Sequence, residues 1–180
     1  MLLTATSSST ASTLIVCLAN YADPIHAQAV VDLLDAYAQD PAGGGKALSA
    51  FTKTHLVKEL AARPQAFSVL AFDMSADGGV PVGLVNCIEG FSTFACKPLI
   101  NVHDVVVQAS HRGQRVGEQM LALVEQIATQ RGACKLTMEV LSGNASAMKL
   151  YQRIGFADYQ LDASMYQQWG SAQFLQKWLV

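Results

Sequence analysis

A run of three valines leads through a short polar loop straight into an amphipathic helix, and that junction limits what the chain can become. The segment is DVVVQASHRGQRVGEQML, Asp104 to Leu121. Val116, Met120, Leu123, Val124 and Ile127 follow at helical spacing and form one apolar face. A strand feeding such a helix belongs in a layered sheet-and-helix domain. The helix start offers unsatisfied N–H groups and a partial positive charge. Gly113 and Gly117 let a bulky anion approach the backbone, while Arg112 and Arg115 add positive charge. Together these features describe a phosphate or pyrophosphate cradle. They also describe an ordinary strand–turn–helix join with surface arginines. Neither GxxxxGK[ST] nor a GxGxxG after the first strand occurs, so the usual nucleotide loops are excluded.

The rest of the chain fits one α/β (α+β) domain. Thr13–Ala19 reads as a buried strand, and Asp23-Pro24 as the N-cap and first residue of a helix carrying Val30, Leu33, Leu34 and Tyr37. A second helix is expected from about Phe51 to Ala62. Phe67–Asp73 and Val80–Glu89, joined by Ala76–Gly79, form an antiparallel hairpin, and Pro98–Val107 returns after Phe91–Lys97. Arg131-Gly132 stops the amphipathic helix. Lys135–Val140 is then a strand and Ala145 to about Ile154 a helix ending at Gly155. Phe156–Leu161 and Phe174–Leu179 are expected as closing strands. Residues 1–12, rich in Ser and Thr, read as a flexible leader, leaving 13–180 as a single domain.

Several function classes fall away on composition. A net charge of −2 argues against a nucleic acid partner. The first apolar run, Leu14–Ala19, is far short of the ~20 residues that span a membrane. No basic residue precedes Lys46, which argues against a secretory signal. Cys17, Cys87, Cys96 and Cys134 form no CxxC pair, so free thiols in the cytoplasm are expected. His26, His55 and His111 lack metal-ligand spacing, and no metal is implied. Cys87 reads as a small apolar residue in a sheet.

Arg112 to Gly117 resembles the (Q/R)xxGx(G/A) signature of the GNAT superfamily of acetyl-CoA-dependent N-acetyltransferases. One departure is that Arg115 stands at the signature's central glycine. A Cβ there narrows the allowed backbone angles but removes no N–H. About thirty residues on, Leu136–Val140 followed by Asn144, Ala147, Leu150, Tyr151, Gly155 and Phe156 resembles the family's strand and N..A..LY...GF pattern. The resemblance implies a GNAT-like mixed, mostly antiparallel central sheet flanked by helices.

It also implies roles. The family's strand before the cradle splays from its neighbour, so the backbones of Val105, Val106 and Val107 would hold the pantetheine arm of acetyl-CoA. Arg112, Gly113, Gln114, Arg115, Val116, Gly117 and Glu118 would wrap the pyrophosphate, chiefly through main-chain donors. Asn144 would both cap a helix and touch the cofactor. Tyr151 would protonate the departing thiolate as general acid. The acceptor would be a primary amine of a small molecule or protein, attacking directly in a ternary complex. His103 is the expected base, with Asp104, Glu89, Glu139 or a water as alternatives; strand alternation puts His103 on the face of Val105 and Val107. Loops 40–50 and 91–97 would shape the acceptor pocket, and Asp32, Asp35, Asp40 and Glu89 would favour a cationic amine. A non-catalytic acyl-CoA-binding regulatory module is the other reading of the same fold. Dimerisation by sheet extension through the closing strands, with Trp169 and Trp178, is a further expectation.

Overall fold

The computed structural model describes residues 14–75 and 78–157. The chain divides into two compact units at Asn144/Ala145. The first holds a five-stranded sheet in the order β1-β2-β3-β4-β5, formed by Leu14–Leu18, Ala66–Asp73, Val80–Ser92, Lys97–Val107 and Leu136–Met138. Neighbours pair antiparallel except β4 and β5, which run parallel because the intervening helix carries the chain back across the sheet. This is the expected mixed, mostly antiparallel sheet with helices on it.

Local chemistry places the helices. Helix α1, Pro24–Gln39, starts where the Asp23 carboxylate accepts the Ile25 N–H at 2.8 Å, with Pro24 in the first turn. Helix α2, Ala50–Ala61, starts where Ser49 Oγ accepts the Thr52 N–H at 3.0 Å. Helix α3, Val116–Gln130, ends before Gly132, whose φ of +73° is the left-handed stop.

Two apolar layers sandwich the sheet. Ala29, Val30 and Leu33 of α1 pack on Leu70, Phe72, Leu84 and Val106, with Leu56, Val57 and Leu60 of α2 at the margin. Truncating Leu33, which is 1% exposed, to alanine is a change that costs about 2–5 kcal/mol in such cores. On the other face α3 buries Val116, Met120, Leu121, Val124 and Ala128. Gly83 belongs to that face: a Cβ there would lie 2.7 Å from the Met120 methyl carbon. The absent side chain lets α3 sit close to β3.

One irregularity governs the rest of the molecule. Asn86 pairs with Asp104 but its neighbour Cys87 pairs with Val102, so His103 is an extra residue, a β-bulge. The bulge shifts the phase of β4 by one residue. His103 therefore does not share the face of Val105 and Val107, as simple alternation predicts. Val102 does, because its partner Cys87 lies two residues from Val85, the partner of Val105. His103 Nδ1 instead lies 3.3 Å from Asn101 Oδ1. The expected strand Lys135–Val140 is shorter, Leu136–Met138, and its last pair is Met138 with Val102, beside the bulge. In the second unit, α4 spans Ala145–Arg153 and Gly155 follows with φ +98°. The leader, half of the hairpin turn Ala76–Gly79, and the closing strands with Trp169 and Trp178 lie outside the described residues, apart from Phe156 and Ala157, which adopt no regular structure.

Candidate functional site

Beyond the bulge, no strand pairs with the outer edge of β4 among the described residues, because β5 stops at Met138. Which residues present their backbone there follows from the ladder. The Gln108 N–H donates to the Val82 carbonyl at 2.9 Å. Alternation of bonded and non-bonded pairs then joins Val106 to Leu84 and turns the N–H and C=O groups of Val105 and Val107 outward. Of the three valines, Val105 and Val107 turn main-chain groups to the outer edge, while Val106 is 6% exposed and closes the core.

The loop from β4 to α3 carries the other set of donors. Among the described residues, the main-chain N–H groups of Gly113, Gln114, Arg115, Val116 and Gly117 meet no acceptor. Val116 and Gly117 are nevertheless buried. Unpartnered N–H groups in a row at a helix start could hold an anion. Arg115 occupies the N-cap position at φ 61°, ψ 19°, in the left-handed region. The arginine thus adopts the backbone a glycine would favour, at a cost of roughly 1–2 kcal/mol for a residue with a Cβ. Gly113 has φ +77°, and a Cβ there would meet nothing within 4 Å, so the space above it is open. These residues fit a pyrophosphate held by main-chain donors. Glu118 lies in the first turn of α3, favourable for the helix dipole.

Side chains hold this loop in place. Arg112 is not a mobile charge: its Nε donates to the Val107 carbonyl at 3.1 Å and its Nη2 to Asp40 Oδ2 at 3.1 Å. Gln108 Nε2 donates to the Pro81 carbonyl and Gln114 Nε2 to the Ser110 carbonyl, each at 3.0 Å. His111 Nε2 meets Asp73 Oδ2 at 3.0 Å, and its Nδ1 lies 2.9 Å from Ser110 Oγ. That histidine bond, with further bonds from Ser75, holds the Asp73 carboxyl down at about 2. Nothing in the spacing of Asp73 and His111, 38 residues apart, marks them as partners.

On the α1 face a polar rung crosses the sheet beside the bulge. Ser68 Oγ donates to Asn86 Oδ1 at 2.6 Å, and Asn86 Nδ2 donates to Asp104 Oδ2 at 3.0 Å. Ser68 has one proton and gives it to Asn86, so Tyr21 must donate to Ser68 across their 2.8 Å contact. Ser68 is fully buried and Asn86 nearly so, whereas Asp104 is half-buried and His103 exposed. Burial raises the Tyr21 hydroxyl above its ordinary range, only partly offset by Ser68. Sequence reading missed this rung, since isolated polar residues in strands ordinarily face solvent.

The four acids expected to attract a cationic amine are engaged elsewhere. Asp35 pairs with Lys53, Asp40 with Arg112 and Glu89 with Arg131, while Asp32 accepts from Gln28. Glu139 accepts from Asn101 at 3.4 Å. The 91–97 connection lies at the far end of the β3–β4 hairpin, about 33 Å along the strand from Val107 at ~3.3 Å per residue. Burial pushes the Cys87 thiol up to about 12, which suits core packing and not nucleophilic chemistry. Asn144 immediately precedes α4, its N–H donating to the Leu141 carbonyl at 2.8 Å. In the second unit Tyr151 is 9% exposed and packs edge-on against Phe156, ring centroids 5.9 Å apart. No group of three or more His, Cys, Asp or Glu suited to a metal occurs among the described residues, and no helix there is long and apolar enough to cross a membrane.

Comparison with known proteins gives this geometry a lineage. The family model described as Acetyltransferase (GNAT) family matches residues 30–156. Streptothricin acetyltransferase of Streptomyces lavendulae is 30% identical over 127 residues, covering 62% of this chain and 67% of that protein. Among solved structures, a probable acetyltransferase superposes with a TM-score of 0.72 at 20% identity, covering 91% of this chain and 98% of that one. An aminoglycoside N-acetyltransferase in complex with CoA gives a TM-score of 0.67 at 17% identity, covering 92% and 95%. The chain belongs to the acetyltransferase (GNAT) family and is, by that membership, an N-acetyltransferase.

Proposed function

We propose that the chain transfers an acetyl group from acetyl-CoA to a primary amine by direct attack in a ternary complex. The observation that carries this is the row of five unpartnered N–H groups, Gly113–Gly117, beside the open edge of β4. The outward groups of Val105 and the outward N–H of Val107, whose carbonyl already accepts from Arg112, are the length of main chain that would bind the amide-bearing arm. The cradle and the N-terminal turn through Glu118 would bind the pyrophosphate, and Asn144 would contribute to the same cofactor. Acetyl-CoA supplies a thioester carbonyl open to attack. Tyr151 acts as general acid toward the thiolate; its ordinary pKa of about 10 against about 8.5 for a thiol makes a hydrogen bond to the leaving sulfur more important than full transfer. His103 would take the proton from the amine, directly or through water, with Asp104, Glu89 and Glu139 as the alternatives. No metal takes part.

The relative that is 30% identical is named for a small molecule, streptothricin, which supports a small amine over a protein amino group as acceptor. The non-catalytic reading rests on Arg115 and on the lack of an obvious base; the left-handed backbone of Arg115, the one a glycine would favour, weighs against the first of these grounds.

The test is release of CoA thiol from acetyl-CoA across a panel of primary amines. Release that requires an amine, and falls about 100-fold in Tyr151→Phe with CoA affinity kept, is the expected result. Binding of acetyl-CoA with no amine-dependent release would favour the regulatory module. Unchanged turnover in Tyr151→Phe across the pH range would remove the general-acid role.

A further inference from the structure

We propose that His111 and Asp73 are positioning residues for the cofactor cradle, an inference that rests on the acetyl-CoA reading above. The main-chain N–H groups of Gly113–Gly117 meet no acceptor among the described residues. A loop that keeps its own donors free cannot fix itself with them, so its shape depends on side-chain struts. The His111–Asp73 strut is the more enclosed of the two ion-paired ones, with side chains 18% and 19% exposed against 60% for Arg112. Every polar atom in it is engaged. His111 Nε2 donates to Asp73 Oδ2 and its Nδ1 meets Ser110, while Asp73 Oδ1 accepts the Ser75 N–H at 2.9 Å. Asp73 is fixed in turn, paired with both Leu14 and Val80 at the end of β2. The strut therefore ties the residue next to Arg112 to the sheet.

The sign of the effect separates this role from simple electrostatics. A carboxylate near an anion site opposes binding through its charge, so its removal should tighten CoA on Coulombic grounds. Positioning demands the reverse.

Titration calorimetry with CoA on the full chain decides between them. Asp73→Ala and His111→Ala should each weaken binding roughly tenfold, the loss of one charge-assisted hydrogen bond. The double variant should be no weaker than either alone, because both remove the same contact. Asp73→Asn, which keeps an acceptor oxygen without the charge, should recover most of the affinity. The KM for the amine should stay unchanged in all of them. CoA binding by Asp73→Ala as tight as wild type, or tighter, overturns the proposal. Should Asp73→Ala fail to fold, unchanged binding by His111→Ala overturns it equally. A wild-type chain that binds no CoA overturns the cofactor reading and this inference with it.

Discussion

The two halves of β4 are built from similar residues and do different work. From Lys97 to Val102 the strand has β3 on one side, and over Ile100–Val102 it also has β5 on the other. From Asp104 to Val107 it keeps β3 alone. The single extra residue at His103 separates them. An open edge is normally a liability, a template for unwanted pairing. Here the ladder to β3 and the apolar layer under Val106 hold the edge rigid, so its outward groups are already in place for a ligand. Such preorganisation lowers the ordering cost of binding.

The comparison can be broken by moving proline one residue along the open half. Val106→Pro removes a ladder N–H and leaves the Leu84 carbonyl unpartnered, a loss of about 1–3 kcal/mol before any packing cost. Val105→Pro removes an outward N–H that no strand uses, a position where proline is tolerated. Its stability should barely change while CoA affinity falls about 2–12-fold, one net hydrogen bond. Chemical denaturation and calorimetry on the two variants would read both effects. Equal destabilisation would mean that the edge at Val105 is not open.

At the cradle, Arg115→Gly should relieve the left-handed strain. The gain is up to about 1 kcal/mol once the extra entropy of glycine is counted. For a domain of this size that raises the melting midpoint by roughly 2–4 °C. A fall in the midpoint would show that the Arg115 side chain contributes more than its backbone costs.

The smallest effect concerns acid. The Asp73 carboxyl is lowered from 3.8 to about 2, so its contribution to stability is complete above its ordinary value and is lost as pH falls from there through about 2. His111→Ala removes the largest cause of that shift. Between pH 4 and 2 the wild type should therefore lose more stability than the variant, measured as the difference in melting midpoint. Parallel pH profiles would contradict the pairing.

Local chemistry was legible in the sequence wherever one residue type has one use. Asp23-Pro24 marked the start of α1 and Gly132 the end of α3. The bulge left no such mark, because an inserted residue in HDVVV resembles the next step of an alternating strand. Alternation consequently placed His103 on the wrong face. Contacts between distant residues were equally hidden. Asp40 and Glu89 read as charges awaiting a substrate until the fold brought Arg112 and Arg131 to them. The Tyr21–Ser68–Asn86–Asp104 rung joins three strands and the β1–α1 connection, which no local pattern links.

Amide hydrogen exchange with and without CoA tests the central claim most directly, that the outward main chain of β4 and the start of α3 hold the cofactor. Added CoA should slow exchange at Val105, Val107 and Gly113–Gly117, and leave Val106, already bonded to β3, unchanged. Protection appearing elsewhere, with these amides exchanging as before, would contradict the account.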